Sequence, residues 1–380
     1  MKFKIDKIFI IISAIFLSFM VGFYGSRMIY YYKNESKMIK NANTIIEYLK
    51  VNNNLTNYHN KYYFRLNAKN NYLLLDGITY RILYVDSKVY AISDSNVTKL
   101  RYGMDSSYES SDINTWLNDV YLNNINKNYV NKVSLLDKET YSLIGKEKSY
   151  VTNSVFWLED GLIVTKDGTL AKPSNYQDFL GVKPVIELND FKYVSGDGTK
   201  KNPYIVNNRK RTNLSDLYAG EYIKYKGLLL RIIENNDNGT KVLSEKVKNV
   251  KYSTTNCEYE TSDIKHFLNT NYIRKLNKND LVLSKWYTYD YTTSYKDTYN
   301  ETTNEYIGLL KIGDFFIDQV PNSFIMTEKD DKIYSIDKNK SLKVAETDSI
   351  LDAYPSFVLK NTLSIKSGKG TKNNPYIVGE

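Results

Sequence analysis

Residues 195–206 read SGDGTKKNPYIV and residues 367–378 read SGKGTKNNPYIV, differing only at Asp197 against Lys369 and Lys201 against Asn373. Upstream of each copy, further matches follow in one order. Asp76-Gly77-Ile78-Thr79-Tyr80-Arg81-Ile82-Leu83 pairs with Lys226-Gly227-Leu228-Leu229-Leu230-Arg231-Ile232-Ile233. Ser111-Asp112-Ile113-Asn114-Thr115-Trp116-Leu117-Asn118 pairs with Ser262-Asp263-Ile264-Lys265-His266-Phe267-Leu268-Asn269, and Val133-Ser134-Leu135-Leu136 with Ile307-Gly308-Leu309-Leu310. Lys183-Pro184-Val185-Ile186-Glu187-Leu188 then lines up with Tyr354-Pro355-Ser356-Phe357-Val358-Leu359. The offset drifts from 150 to 174 and back to 172, as insertions confined to loops would make it. A period this long is the mark of a duplicated domain rather than a solenoid.

Each copy supports the same coarse expectation. A turn at Gly77 or Gly227 leads into an apolar run that suggests a strand buried on both faces. Arg81 and Arg231 lie inside those runs and are expected to be buried and paired with carboxylates. Ser111 and Ser262 are N-cap candidates, and Ile113, Trp116 and Leu117 recur at helical spacing, matched by Ile264, Phe267 and Leu268. Trp116 is therefore read as a core aromatic. Short β-prone runs, among them Ser154–Leu158, Leu162–Thr165, Val185–Leu188 and Tyr204–Val206, are separated by turns such as Lys166-Asp167-Gly168. The expected fold class is α+β: two tandem homologous domains with largely antiparallel sheets and one or two helices each, preceded by a single transmembrane helix.

That helix is expected over residues 8–26, IFIIISAIFLSFMVGFYGS, which carry no charge. Nineteen residues span roughly 28 Å as a helix, close to the hydrocarbon thickness of a bilayer. The run closes with Gly22-Phe23-Tyr24-Gly25-Ser26 and no A-x-A-like pair, so it reads as an uncleaved anchor rather than a signal peptide. Tyr24 and Tyr30-Tyr31-Tyr32 resemble an interfacial aromatic belt. Residues 34–51 place Ile39, Ala42, Ile46 and Leu49 at helical spacing and suggest a stalk, with the Asn-rich stretch after it as a linker. The boundaries are thus a cytoplasmic tail over 1–7, the membrane helix 8–26, a stalk and linker 27–60, one domain over 61–208, a linker 209–213 and a second domain over 214–380.

The net charge of +9 invites a nucleic-acid reading until it is located. Residues 1–50 hold eight Lys/Arg against three acids, leaving a surplus of four over all the rest. Positive charge concentrated beside an apolar segment is membrane electrostatics, and no nucleic acid is expected. Lys, Asn, Ile and the 36 tyrosines are heavily used, which an AT-rich coding sequence explains without a functional cause, although surface tyrosines would also stack on sugars or partners.

Catalytic chemistry finds little to use. Cys257 is the only cysteine, and His59 and His266 are the only histidines, with no metal-binding spacing between them. His266 aligns with Thr115, off the apolar face, and is expected to be solvated; Cys257 has no counterpart in the first copy. Asp112 and Asp263 recur at helix starts, where capping explains them. The Gly-Asp-Gly turn at Asp197 suggests a calcium or phosphate loop, but Lys369 occupies the matching position, so both loops read as chain-closing turns. No catalytic, metal or cofactor residue is assigned, and ligand-binding residues are left unassigned.

The Y-R-I-L strand, the S-x-I-x-x-W-L-N helix, the W-L strand, the Gly hairpin and the closing K-P-V-I-x-L strand together resemble an uncharacterised domain family common in Gram-positive cell-surface proteins. The resemblance covers roughly 61–206 and more weakly 214–378; the family's arginines after S-x-I and before Pro are here Asn114, Lys265, Lys183 and Tyr354. The order of elements is also similar to C-type-lectin-like folds, as a fold-level analogy. The expectation is a single-pass surface protein, N-terminus inside and C-terminal domains outside, whose tandem non-enzymatic domains bind a glycan, wall polymer or protein ligand. The alternatives are a scaffold or regulator acting through a membrane partner and, less favoured, a cell-envelope glycan hydrolase built on paired acids.

Overall fold

The two apolar runs that contain Arg81 and Arg231 become the spines of two sheets in the computed structural model. It describes residues 13, 15–30, 42–52, 55–64, 68–144, 155–193, 195–206, 210–290, 299–329 and 332–379. The first sheet contains β1 (Thr56–Tyr58), β2 (Lys61–Tyr63), β3 (Tyr72–Leu75), β4 (Ile78–Val85), β5 (Val89–Ser93), β6 (Val130–Ser134), β7 (Val185–Leu188) and β8 (Tyr204–Ile205). Its strands run in the order β8-β3-β4-β5-β7-β6, with the β1–β2 hairpin joined to the far end of β4. The second sheet contains β9 (Tyr222–Tyr225), β10 (Leu228–Asn236), β11 (Gly239–Leu243), β12 (Ile307–Gly308), β13 (Ser356–Leu359), β14 (Ile365–Ser367) and β15 (Tyr376–Val378). Here the order is β15-β9-β10-β11-β13-β12, with β14 outside β15.

Those six-strand orders are the same, and so are their directions. Only β8 on β3 and β15 on β9 are parallel pairs within them. Each long strand is bulged at the same place, between Ile82 and Tyr84 or between Ile232 and Glu234. A smaller sheet accompanies each. Thr98–Leu100, Leu180–Val182, Phe156–Trp157, Ile163–Val164 and Leu170–Ala171 form one. Val247–Lys251, Ile350–Ala353, Ser323–Lys329, Lys332–Ile336 and Leu342–Ala345 form the other, which gains the hairpin Ser284–Asp290/Tyr299–Glu305. The architecture is α+β with mostly antiparallel sheets, as expected. The hairpin falls where the offset between the copies widens to 174.

The short helices are α1 (Ile45–Asn52), α2 (Asp112–Trp116), α3 (Lys138–Ile144) and α4 (Asp263–Thr270). Ser111 and Ser262 cap α2 and α4, accepting from the backbone N–H groups of Asn114 and Lys265 at 3.0 and 3.2 Å. Trp116 is fully buried, as its helical spacing predicts. α1 does not stand off as a stalk. Ile45, Ile46, Tyr48 and Leu49 are buried in the first core, the Ile45 N–H donates to Phe191 O at 2.8 Å, and Tyr48 stacks on Tyr193 at 4.1 Å. The apolar face read as part of a stalk is covered within the same chain. Ile39 lies outside the described residues, and part of the expected linker is the β1–β2 hairpin.

Arg81 is buried as expected, but its described partners are not carboxylates. It donates to Asn71 Oδ1 at 2.8 Å and Ala68 O at 3.0 Å, and lies 4.4 Å from the centre of the Tyr72 ring. Arg231 repeats the motif over Tyr222 at 5.1 Å, with Phe316 on it at 3.3 Å. In both sheets the Tyr is the cross-strand neighbour of the Arg, so a ring face supplies what a carboxylate was expected to supply. Part of the tyrosine surplus belongs to the core: Tyr80, Tyr102, Tyr121, Tyr204, Tyr225, Tyr252 and Tyr259 are all buried.

The halves are welded by the segment 311–320. Its Phe315 packs between Trp116 and Tyr121, with ring centres 5.3 and 5.5 Å away, and Gly313 O accepts from Trp116 Nε1 at 2.8 Å. Thr98 Oγ1 donates to Asp314 O at 2.9 Å, while Asp318 meets Lys99 Nζ at 3.2 Å and Asn96 Nδ2 at 2.8 Å. Arg211, in the expected linker, is buried between Asp76 of the first half at 2.5 Å and Glu221 of the second at 3.5 Å.

Residues 15–30 are helical, and their apolar side chains, such as Phe16, Leu17, Phe19 and Val21, are each 65–69 % exposed. The expected span 8–26 lies partly outside the described residues. Among those described, no helix is long and apolar enough to cross a membrane.

Candidate functional site

Alternation along a strand sends Thr240 and Val242 of β11 into the core and leaves Lys241 on the opposite face. Its cross-strand neighbours are Glu234 on β10 and Val358 on β13, so these three positions form a row across the sheet. The row is the floor of a cleft of about 640 Å³. One wall is the hairpin arm carrying Lys285, Trp286 and Tyr287, the other is the 309–315 segment, and Val120 of the first half closes one side. Trp286 can lie across the floor because β12 has Gly308 beneath it: a Cβ there would fall 2.4 Å from Trp286 Cε3. The indole N–H donates to Glu305 O at 2.9 Å, which fixes the ring within its own hairpin.

The charges of the cleft are concentrated on one carboxylate. Asp314 Oδ2 is 3.2 Å from Lys241 Nζ, Asp314 Oδ1 is 3.8 Å from Lys311 Nζ, and the Lys311 N–H donates to Asp314 Oδ2 at 3.0 Å. Lys241 Nζ also lies 5.2 Å from the centre of the Trp286 ring. Burial pushes the Asp314 carboxyl up, but Lys241 and Lys311 together outweigh it and hold the group below its ordinary value. Burial pushes the Lys311 ammonium down, and Asp314 only partly restores it. Glu234 Oε1 accepts from Asn236 Nδ2 at 2.8 Å. Asn236, Asn238 and Asn304 line the mouth and are exposed.

The first sheet has a cavity in the same place. Its floor is the row Tyr84, Tyr90 and Glu187, which occupy the same positions on β4, β5 and β7 that Glu234, Lys241 and Val358 occupy on β10, β11 and β13. This cavity is about 170 Å³ and is lined also by Asp137 and Glu159. Tyr84 stacks on Tyr90 at 4.3 Å, and Glu187 pairs with Lys88. Burial, then Asp137, raises the Glu159 carboxyl above its usual range. Among the described residues no hairpin wall rises beside it, and the cavity is the smaller of the two.

The residues singled out in the sequence lie elsewhere. Cys257 is half-buried against the second core, His266 is exposed on α4, and His59 is exposed in the β1–β2 turn. Asp112 is more than a helix-start carboxylate: it accepts from Arg101 Nε at 2.5 Å in a nearly buried pair. Asp263 is exposed. In the twin loops, Asp197 Oδ1 accepts the Thr199 N–H at 2.9 Å, and Gly198 and Gly370, at φ +76° and +70°, lie against the rings of Tyr204 and Tyr376. Among the described residues no group of three or more His, Cys, Asp or Glu is disposed to hold a metal ion. Sequence reasoning missed Lys241, Asp314, Lys311 and Trp286; the available signal was the widened offset, which marked an insertion in the second copy alone. Comparison with known proteins finds no matching family model, no matching curated protein and no matching solved structure.

Proposed function

We propose that this chain is a membrane-anchored surface protein whose two halves arose by duplication and whose second half binds an extracellular ligand, a glycan, wall polymer or protein segment, without turning it over. The cleft over Glu234, Lys241 and Val358 carries this reading, because a cavity recurs over the equivalent row of the first sheet. Its volume falls within the range of about 300–1,000 Å³ usual for small-molecule sites. Trp286, only 5 % exposed, lines the cleft beside amides and charged groups, which offer several donors and acceptors for the hydroxyls or amides of a sugar or peptide. The shared strand order and the near-identical closing loops support duplication. The exposed apolar side chains of helical residues 15–30, flanked by basic residues in sequence, support a membrane anchor.

The test has two parts. Carbonate washing of membranes from expressing cells should leave the full chain in the pellet, and external protease should reach its C-terminal halves; release into the wash would remove the anchor. The full chain in lipid nanodiscs, applied to an array of glycans and cell-wall fragments, should show saturable binding that Trp286→Ala weakens by about tenfold, the worth of one well-placed aromatic contact. Undiminished binding by a folded Trp286→Ala protein would move the site away from this cleft.

A further inference from the structure

We infer that the cleft of the second half selects an anionic saccharide, a sugar bearing phosphate or carboxylate groups. The inference rests on the binding role proposed above and names its ligand class. Three ammonium groups, Lys241, Lys285 and Lys311, line the cleft against two carboxylates, Asp314 and Glu234. Asp314 is shared between Lys241 and Lys311, and it also accepts the Lys311 backbone N–H, so its lone pairs are largely committed within the protein. Lys285 stands on the exposed hairpin arm, 5.5 Å from the centre of the Tyr287 ring, at the mouth of the cleft. An incoming anion would meet Lys285 first and then the Lys241–Lys311 pair, where the lining lysines outnumber the lining carboxylates.

The depth of the site favours this ligand over a free inorganic ion. An ion would use only the lysines, whereas the cleft extends along Trp286 and Phe315 to the amides Asn236 and Asn304. The exposed side-chain amides match the hydroxyls of a saccharide, above an apolar base in which Trp286 and Phe315 are packed at 5 and 2 % exposure. The first half provides an internal contrast: its equivalent row is Tyr84, Tyr90 and Glu187, with Asp137 and Glu159 beside it, so the Lys241 and Lys311 positions are filled there by Tyr90 and Asp137. The preference for anions therefore belongs to the second half.

The experiment uses the full chain in nanodiscs of zwitterionic lipid and three labelled probes: a hyaluronan hexasaccharide for carboxylates, a 6-phosphorylated mannohexaose for phosphates, and neutral chitohexaose. At least one anionic probe should bind about tenfold tighter than chitohexaose at low salt, the worth of one charge-assisted hydrogen bond, and the preference should shrink as salt rises. The stronger of the two anionic probes identifies the acidic group. Lys285→Gln and Lys311→Gln should each erode the preference severalfold, Lys285→Arg should retain it, and chitohexaose binding should hardly change. Thermal unfolding of each variant checks that it is folded. Equal binding of all three probes, unmoved by the lysine variants, would overturn the ligand class and leave the binding role standing. Failure of every probe to bind the folded protein would overturn both.

Discussion

Glu221 shares the buried guanidinium of Arg211 with Asp76, so two carboxylates compete for one cation, with Tyr218 and Tyr376 also facing Arg211. Burial and then the Asp76 charge raise the Glu221 carboxyl to about 8, Arg211 offsetting only part of the rise. Its pKa when folded is above that when unfolded, so the folded chain holds a proton that the unfolded chain releases. The stabilisation is complete below the unfolded value of 4.5 and is lost as pH rises to about 8. Glu221→Gln should flatten this decline: the variant-minus-parent stability should grow with pH across that window, by at most roughly 1.4 kcal/mol per unit, and level off above it. Denaturation at stepped pH measures it, and parallel curves would refute the assignment. Residues of this kind divide sharply by legibility. Trp116 and His266 could be placed from helical spacing alone, because spacing decides which face a side chain occupies. The partners of Arg81 and the pairing of Lys241 with Asp314 could not, because they depend on cross-strand register and on a contact between segments far apart in sequence.

The element that distinguishes the second half is the hairpin Ser284–Asp290/Tyr299–Glu305, and its seat is Gly308. The first half has Ser134 at the matching position and no Trp above it. Gly308→Ala should therefore cost about 1–3 kcal/mol by overpacking against the Trp286 ring, and should weaken ligand binding as the hairpin shifts. Ser134→Ala should be close to neutral in stability. Chemical denaturation of the two variants distinguishes a seat specific to the hairpin from a general intolerance of strand changes. The helices teach a related lesson. The periodicity of residues 42–49 correctly marked an apolar face, but the face is covered by Tyr193 and the first core rather than carried on a free stalk. Periodicity reports that a face must be buried, not against what.

At the scale of the whole molecule, the two halves meet through Trp116, Phe315 and the Arg211 cluster, and one continuous set of buried side chains includes both Ile113 and Phe316. Unfolding of the described C-terminal halves should then be a single cooperative transition rather than two. Calorimetry checks this, and Trp116→Ala, which should cost roughly 3–5 kcal/mol, should lower that one transition instead of splitting it. The matched turns Gly77 and Gly227 give a sharper comparison, since both sit near φ +80°. A Cβ on Gly77 would lie 2.3 Å from Gly220 O across the junction, whereas nothing lies within 4 Å of one on Gly227. Gly227→Ala should cost the backbone strain alone, about 1–2 kcal/mol, and Gly77→Ala distinctly more. The sequence by itself determined the repeated order of elements, the α+β class and the capped helices, because periodicity, capping and turn chemistry act over a few residues and were written twice. Only the tertiary structure decided that the halves share a core and that a Lys–Asp–Lys cleft opens under a hairpin in one of them. Those features arise where segments distant in sequence come to share space, and local patterns carry no record of which segments meet.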